Sequence, residues 1–301
     1  MLKKLPAPLK GTLNALFLAS HTLFWCIPMY ALFVLKLLSP TQKCRAWTDK
    51  ALVFTANHWI QSNNLFMTLT HDTLLQTPDF AKLNLKLNDW YFITVNHQCW
   101  TDILILQKIF LYQIPFIRFF IKKELMLIPV FGAAWWAYDF PIMSRYSKET
   151  LQKKPHLKGK DLLKTQKSCD IFKNYPVTIL NFLEGTRFTK QKQAQQNSPY
   201  QELLKPKLGG FSFALQAMDQ KIKHILDVTI IYPHGRLSFW DFLCGRVKKI
   251  VIDIKPKEVP TQFLDWQNPD DPHLRSEFGE WINALWLEKD RLIKQHTAKV
   301  N

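Results

Sequence analysis

Residues 91–106, YFITVNHQCWTDILIL, change character in the middle. Residues 92–95 are apolar and read as a short buried strand, and residues 103–112 as an apolar helix. The polar turn between them carries His97 and Asp102, five positions apart. On one regular helix that spacing would separate the side chains by about 140°. They meet only if His97 lies in the strand-to-helix turn and Asp102 in the first helical turn, where the helix dipole favours an acid. Ligands of α/β sheets gather at the carboxyl ends of strands. A carboxylate on one imidazole nitrogen fixes the tautomer and makes the other nitrogen a better base. A buried structural hydrogen bond is the rival reading of the same pair.

The spacing itself carries little weight. Nine histidines and 16 aspartates among 301 positions give about 0.5 such pairs by chance, and His156 with Asp161 is a second copy. That copy follows Pro155 in a lysine-rich stretch with no strand before it, so it reads as solvated surface. Asn57–His58 has no acid five positions on. Setting, rather than spacing, singles out His97 and Asp102.

Outward from this unit the same alternation recurs. Residues 116–121, 177–183 (VTILNFL), 227–232 (DVTIIY) and 247–254 read as strands, the last as an edge strand. Residues 81–90, with Leu83, Leu85 and Leu87 alternating with polar residues, read as a half-buried strand. Residues 47–69, 131–138, 160–174 and 211–218 read as helices, as does the chain from Pro272 onward. Residues 189–198 (TKQKQAQQNS) read as an exposed loop. Strands alternating with helices predict an α/β fold: a mixed, mostly parallel sheet flanked by helices.

The chain is 47% hydrophobic and 14% aromatic, which excludes a disordered protein. Its five cysteines are scattered without a C-x-x-C pair, which points to a reducing compartment and away from a disulfide scaffold or structural zinc site. The net charge of +16 calls for an anionic partner, and the N-terminus separates the candidates. Residues 12–35 contain no Asp, Glu, Lys or Arg and, as a helix, would be about 36 Å long, enough to cross a bilayer. His21 and Pro28 lie inside, and both flanks are basic, so charge gives no orientation. The segment is a membrane helix or a helical hairpin dipping into one leaflet, with Pro28 at the break. Membrane lipids, not nucleic acid, are the partner this combination predicts. The expected division is a membrane-associating segment at 1–45, an α/β domain at 46–260 and a C-terminal helical extension at 261–301.

Downstream, residues 182–189, FLEGTRFT, follow the strand at 177–183. An arginine past a buried strand and a glycine turn suits a bidentate phosphate clamp, while a surface Glu184–Arg187 ion pair is the plainer reading. The pair NHQCWTD (96–102) and EGTR (184–187) resembles the glycerolipid acyltransferases, which acylate glycerol-3-phosphate and lysophosphatidic acid. WAYDFPIMSR (136–145), DVTIIYP (227–233) and KKELMLIPVFG (122–132) resemble further blocks of that family, in order. FLEGTRFT and LLKPKLGGF (203–211) look most like its YihG-type branch; Leu183 departs from the proline found there in many members.

The resemblance implies a membrane enzyme on the cytoplasmic side of a bacterial inner membrane. It would move an acyl chain from acyl-CoA or acyl carrier protein, as co-substrate, to the free hydroxyl of 1-acyl-sn-glycerol-3-phosphate as lysophospholipid acceptor, with no cofactor and no metal. Lysophosphatidylglycerol is the alternative acceptor, and a non-catalytic lipid-binding protein the rival class. His97, oriented by Asp102, would be the general base. Arg145 and Arg187 would hold the acceptor phosphate, with Glu184, Gly185 and Thr186 shaping the turn, and Cys99 would be a packing residue. Lys122 and Lys123 would touch lipid headgroups, where each basic residue contributes about 1 kcal/mol.

Overall fold

The computed structural model describes residues 2–128, 131–143, 168–218, 220–266 and 271–298. Six strands form the main sheet: β1 (Leu74–Gln76), β2 (Tyr91–Val95), β3 (Ile117–Phe119), β6 (Thr178–Phe182), β7 (His224–Ile231) and β8 (Lys249–Glu258), in the order β1-β8-β7-β2-β6-β3. All neighbours are parallel except β7 and β8, and a separate two-residue pair joins β4 (Ile121–Lys122) to β5 (Ile142–Met143). The mixed, mostly parallel sheet matches the predicted fold class.

Alternation along β2 shows why these runs are strands. Every residue from Tyr91 to Val95 is buried. Phe92 enters the core on one side of the sheet, while Tyr91, Ile93 and Val95 enter the core on the other. Helices cover both faces, as a parallel sheet requires. On the Phe92 side lie α6 (Gly209–Ala217), which stacks Phe211 on Phe92, and α9 (Pro272–Ala298), which brings Phe278 and Trp286. On the other side α3 (Thr101–Phe110) buries Ile105, Leu106 and Ile109. The shorter helices are α4 (Phe131–Ala137), α5 (Lys190–Gln195), α7 (Phe239–Leu243) and α8 (Thr261–Leu264).

Several local expectations need correction. Residues 81–90 hold no strand: Phe80–Leu83 is a 3-10 turn capped by the Asp79 carboxylate, and Asn84 follows in the left-handed region at φ 49°. Leu83 and Leu85 pack on the core without a ladder partner. Strand β8 is no edge, since β7 and β1 pair with its two sides. Within 189–198 the Thr189 hydroxyl accepts from the Lys192 N–H and caps helix α5. Most of the helix expected at 160–174, and the His156–Asp161 pair, lie outside the described residues.

The N-terminal apolar run is one helix, α1 (Ala7–Leu38), unbroken at Pro28, and α2 (Gln42–Thr70) returns beside it after a turn at residues 39–41. The break therefore falls at Pro40, outside the helix, rather than at Pro28. Polar groups inside the run explain the pairing, because they face α2. His21 Nδ1 meets Asn63 Oδ1 at 3.0 Å, the Trp59 indole donates to Thr22, and Phe17 stacks on Phe66. Helix α1 is tied to the α/β domain at both ends. Asn14 donates to the Leu243 carbonyl, and the buried Lys36 ammonium meets Asp49 and Asp139 at 2.8 and 2.6 Å.

Candidate active site

Parallel register brings the site together. Val95 is the partner of Phe182 on one side and of Val228 on the other. His97 and Glu184 therefore each stand two residues beyond the carboxyl ends of adjacent strands. Beyond Val95, the strand continues in disguise. The Asn96 side chain accepts from the Ile230 N–H at 2.8 Å and donates to the Ile230 carbonyl at 2.9 Å, as a peptide unit would. The main chain is thereby released to turn.

The turn is organised by Asp102, fully buried in the first turn of α3. Its Oδ2 accepts from His97 Nδ1 at 2.9 Å and from the N–H groups of Gln98 and Cys99 at 2.6 and 2.9 Å. Its Oδ1 accepts from the Tyr232 hydroxyl at 2.7 Å. Three donors on one oxygen and a phenol on the other hold the carboxylate in place, and charge-assisted bonds of this kind are the strong ones. Because Asp102 takes Nδ1, Nε2 is the imidazole nitrogen left for another proton. Phe182 stacks on the ring at 4.0 Å between centroids.

Glu184 lies beneath the same turn, also fully buried. Its Oε1 accepts the His97 N–H at 2.7 Å and its Oε2 the Leu204 N–H at 3.0 Å. Burial pushes its carboxyl up to about 8, against the opposing pull of those two bonds. The return bond runs from the Phe188 N–H to the His97 carbonyl, 2.8 Å. Glu184 thus braces the histidine backbone and makes no surface ion pair with Arg187, which corrects the plainer reading of the EGTR stretch.

Gly185 makes this possible with φ +67°, and a Cβ there would come within 3.0–3.1 Å of the Lys207 side chain. The turn sends Arg187 outward, its guanidinium over the exposed Trp100 ring at 4.5 Å. Thr186 accepts from the Lys192 ammonium at 2.8 Å, and the Arg187 carbonyl from the same group at 3.1 Å. The turn therefore presents Arg187 and Lys192 near the imidazole side of the sheet. Arg145 lies outside the described residues. For Lys122 and Lys123 the backbone alone is described: Lys122 closes β4 and pairs with Met143, and Lys123 begins the 3-10 turn Lys123–Leu127.

Cys99 is buried with its thiol 3.3 Å from the Tyr232 hydroxyl, so it is more than filler. Burial, and then the Asp102 charge, push its thiol up, the opposite of what a nucleophilic thiolate needs. Tyr232 and Phe182 escaped the sequence reading. Each sits within an apolar strand run where only core packing is legible, although the register of VTILNFL beside YFITV would have put Phe182 next to the turn.

An α/β sheet with a carboxylate-oriented imidazole at a strand carboxyl end, beside an arginine turn, has the geometry for proton transfer next to an anion, which many proteins share. The comparisons narrow the field. The family described as Acyltransferase matches residues 81–234, half of the chain and all of the turn-bearing strands, and the chain belongs to that family. The 2-acyl-1-lysophosphatidylinositol acyltransferase of Saccharomyces cerevisiae is 25% identical over 285 residues, covering 81% of this chain and 68% of that protein. The 1-acyl-sn-glycerol-3-phosphate acyltransferase gamma of Homo sapiens is 25% identical over 189 residues, covering 59% of this chain and 45% of that protein. The chain spans about two thirds of the first relative and under half of the second. The crystal structure of the 1-acyl-sn-glycerophosphate (LPA) acyltransferase PlsC from Thermotoga maritima shares the fold at TM-score 0.52 and 15% identity, covering 95% of this chain and 97% of that one.

Proposed function

We infer that this acyltransferase moves a fatty acyl chain from an acyl thioester, of coenzyme A or acyl carrier protein, to the free hydroxyl of 1-acyl-sn-glycerol-3-phosphate. The observation that carries the reading is the His97–Asp102 bond at 2.9 Å, which leaves Nε2 as the base. In the reaction, Nε2 takes the hydroxyl proton while that oxygen attacks the thioester carbonyl. The C–S bond breaks, and the thiolate leaves with the proton returned by the imidazolium. No acyl-enzyme is involved, in keeping with the raised thiol of Cys99. Arg187 holds the acceptor phosphate together with Arg145. The FLEGTRFT turn and the LLKPKLGGF segment that meets Glu184 through Leu204 support the YihG-type branch of the family.

The reaction runs at a membrane surface. Helix α1 is long and apolar enough to cross a bilayer, and 6% of its most apolar window is buried. Leu9, Leu16, Leu23, Ile27 and Val34 are exposed at sevens and fours along one face, and Trp47, Phe54, Leu65 and Leu69 are exposed on α2. Attachment of α1 to the α/β domain at both ends favours a hairpin lying in one leaflet over a helix leaving the domain to span the bilayer. Lys122 and Lys123, next to the exposed Leu125, Leu127 and Ile128, suit headgroup contact. Five free cysteines fit the cytoplasmic side of a bacterial inner membrane.

A second acceptor is favoured by one observation: the lysophosphatidylinositol acyltransferase matches more of this chain than the human lysophosphatidate enzyme does. Purified protein given mixed lysophospholipids with acyl-CoA or acyl carrier protein donors separates the two, with phosphatidic acid as the expected product. In the same assay His97→Ala and Asp102→Ala abolish transfer while membrane binding survives. Full activity in both variants would refute the base assignment.

A further inference from the structure

Asp102 has two oxygens, and the reaction uses one. What fixes the other is Tyr232, a side chain 130 residues away, just past the end of β7. Its hydroxyl lies 2.7 Å from Oδ1, and the Cys99 thiol stands 3.3 Å from that hydroxyl. Tyr232 is 5% exposed. A buried phenol needs a hydrogen-bond partner, and an ionised carboxylate only accepts. The proton therefore points from Tyr232 to Asp102, and the Cys99 thiol stands within reach of both the phenol oxygen, at 3.3 Å, and Asp102 Oδ1, at 3.8 Å. Donors therefore converge on Asp102, Tyr232 on Oδ1 and His97 Nδ1 on Oδ2.

We propose that Tyr232 is a positioning residue for the base: by holding Oδ1 it keeps Oδ2 in the plane of the His97 ring and sets how much carboxylate charge the imidazolium meets. The proposal rests on the reading of His97 as general base. Its consequence has a sign. A phenol on Oδ1 draws charge away from Oδ2, so removing it leaves more charge facing the ring and stabilises the imidazolium. The acid limb of kcat then moves to higher pH, even as loss of orientation slows the step. Burial, and then the Asp102 charge, push the phenol itself well above 10, so it stays protonated across the working range. Among the described residues, the other titratable groups facing the dyad are Cys99 from the same turn and Glu184 from the end of β6, with Arg236 reaching Gln98 and Glu202 close by.

The test is kcat against pH for full-length protein in mixed micelles, with oleoyl-CoA or oleoyl-acyl carrier protein and 1-oleoyl-sn-glycerol-3-phosphate. Tyr232→Phe should lower kcat about tenfold, leave the acceptor KM within about twofold, and raise the pH of the acid limb. Replacing Tyr232 by 3-fluorotyrosine preserves shape and strengthens the donor, so the limb should move the opposite way; this variant carries the test if Tyr232→Phe does not fold. A wild-type limb in either folded variant, with His97→Ala inactive, overturns the positioning role and leaves the dyad standing. An active His97→Ala overturns the dyad and the inference with it.

Discussion

The Glu184 carboxylate accepts the backbone N–H of His97 at 2.7 Å from inside the sheet edge, where water does not reach. The residue that braces the base is thus itself a titrating group with its carboxyl pushed up to about 8 by burial. A carboxyl raised in the folded state contributes stability that is fully present below its unfolded value near 4.5 and lost as pH rises toward 8. Thermal unfolding of the wild type should therefore show a falling Tm between pH 5 and 8. Glu184→Gln should flatten that slope while lowering Tm at pH 5 by the loss of one acceptor, about 1 kcal/mol. An unchanged slope would remove Glu184 as its source.

Arg187 stacks on Trp100 and, among the described residues, pairs with no acid, which suits its fork to a phosphate. Arg187→Ala should raise the acceptor KM about tenfold and the donor KM much less. Arg187→Lys keeps charge but loses both fork and stack, and should recover part of the effect. Steady-state kinetics with each substrate varied in turn decides this; an unchanged acceptor KM would refute the clamp.

Within the sheet below the turn, Lys289 of α9 is buried against Asp227 of β7 at 2.7 Å, and Asp227 also accepts from Thr94. Removing one partner leaves a buried charge alone, at a cost of about 3–5 kcal/mol. Lys289→Met should lower the unfolding free energy measured by denaturant titration by that amount, and Lys289→Met with Asp227→Asn should recover part of it. A double-variant loss equal to the sum of the two single-variant losses would show that the pair is not coupled.

The exposed leucines of α1 predict a graded loss of lipid binding. Leu23→Lys and Ile27→Lys together should lower retention on phosphatidylglycerol-containing vesicles more than tenfold, since each removes about 2 kcal/mol of apolar transfer. Flotation of protein whose circular dichroism is unchanged provides the measurement. Undiminished flotation would move the lipid contact off this face.

What could be read from the sequence follows physical range. The runs at 92–95, 177–183 and 227–232 are buried on both faces, so composition alone marks them as strands. The His97–Asp102 contact was legible because one turn of chain fixes its geometry. The run at 81–90 misled because alternation records half-burial, and an irregular segment lying on the core is half-buried too. Leu74–Gln76 is too short to carry a period. Tyr232 on Asp102 and Lys289 on Asp227 join positions 130 and 62 residues apart, and nothing local encodes such pairs.

Asn96 extends this reasoning to what position 96 can tolerate. Its amide answers both the N–H and the carbonyl of Ile230. Aspartate has no donor for that carbonyl, leucine has neither group, and glutamine carries its amide one carbon too far. Saturation of this codon under selection for activity should return asparagine almost alone, although the residue never touches the reacting atoms. A side chain that impersonates main chain leaves evolution almost no synonyms.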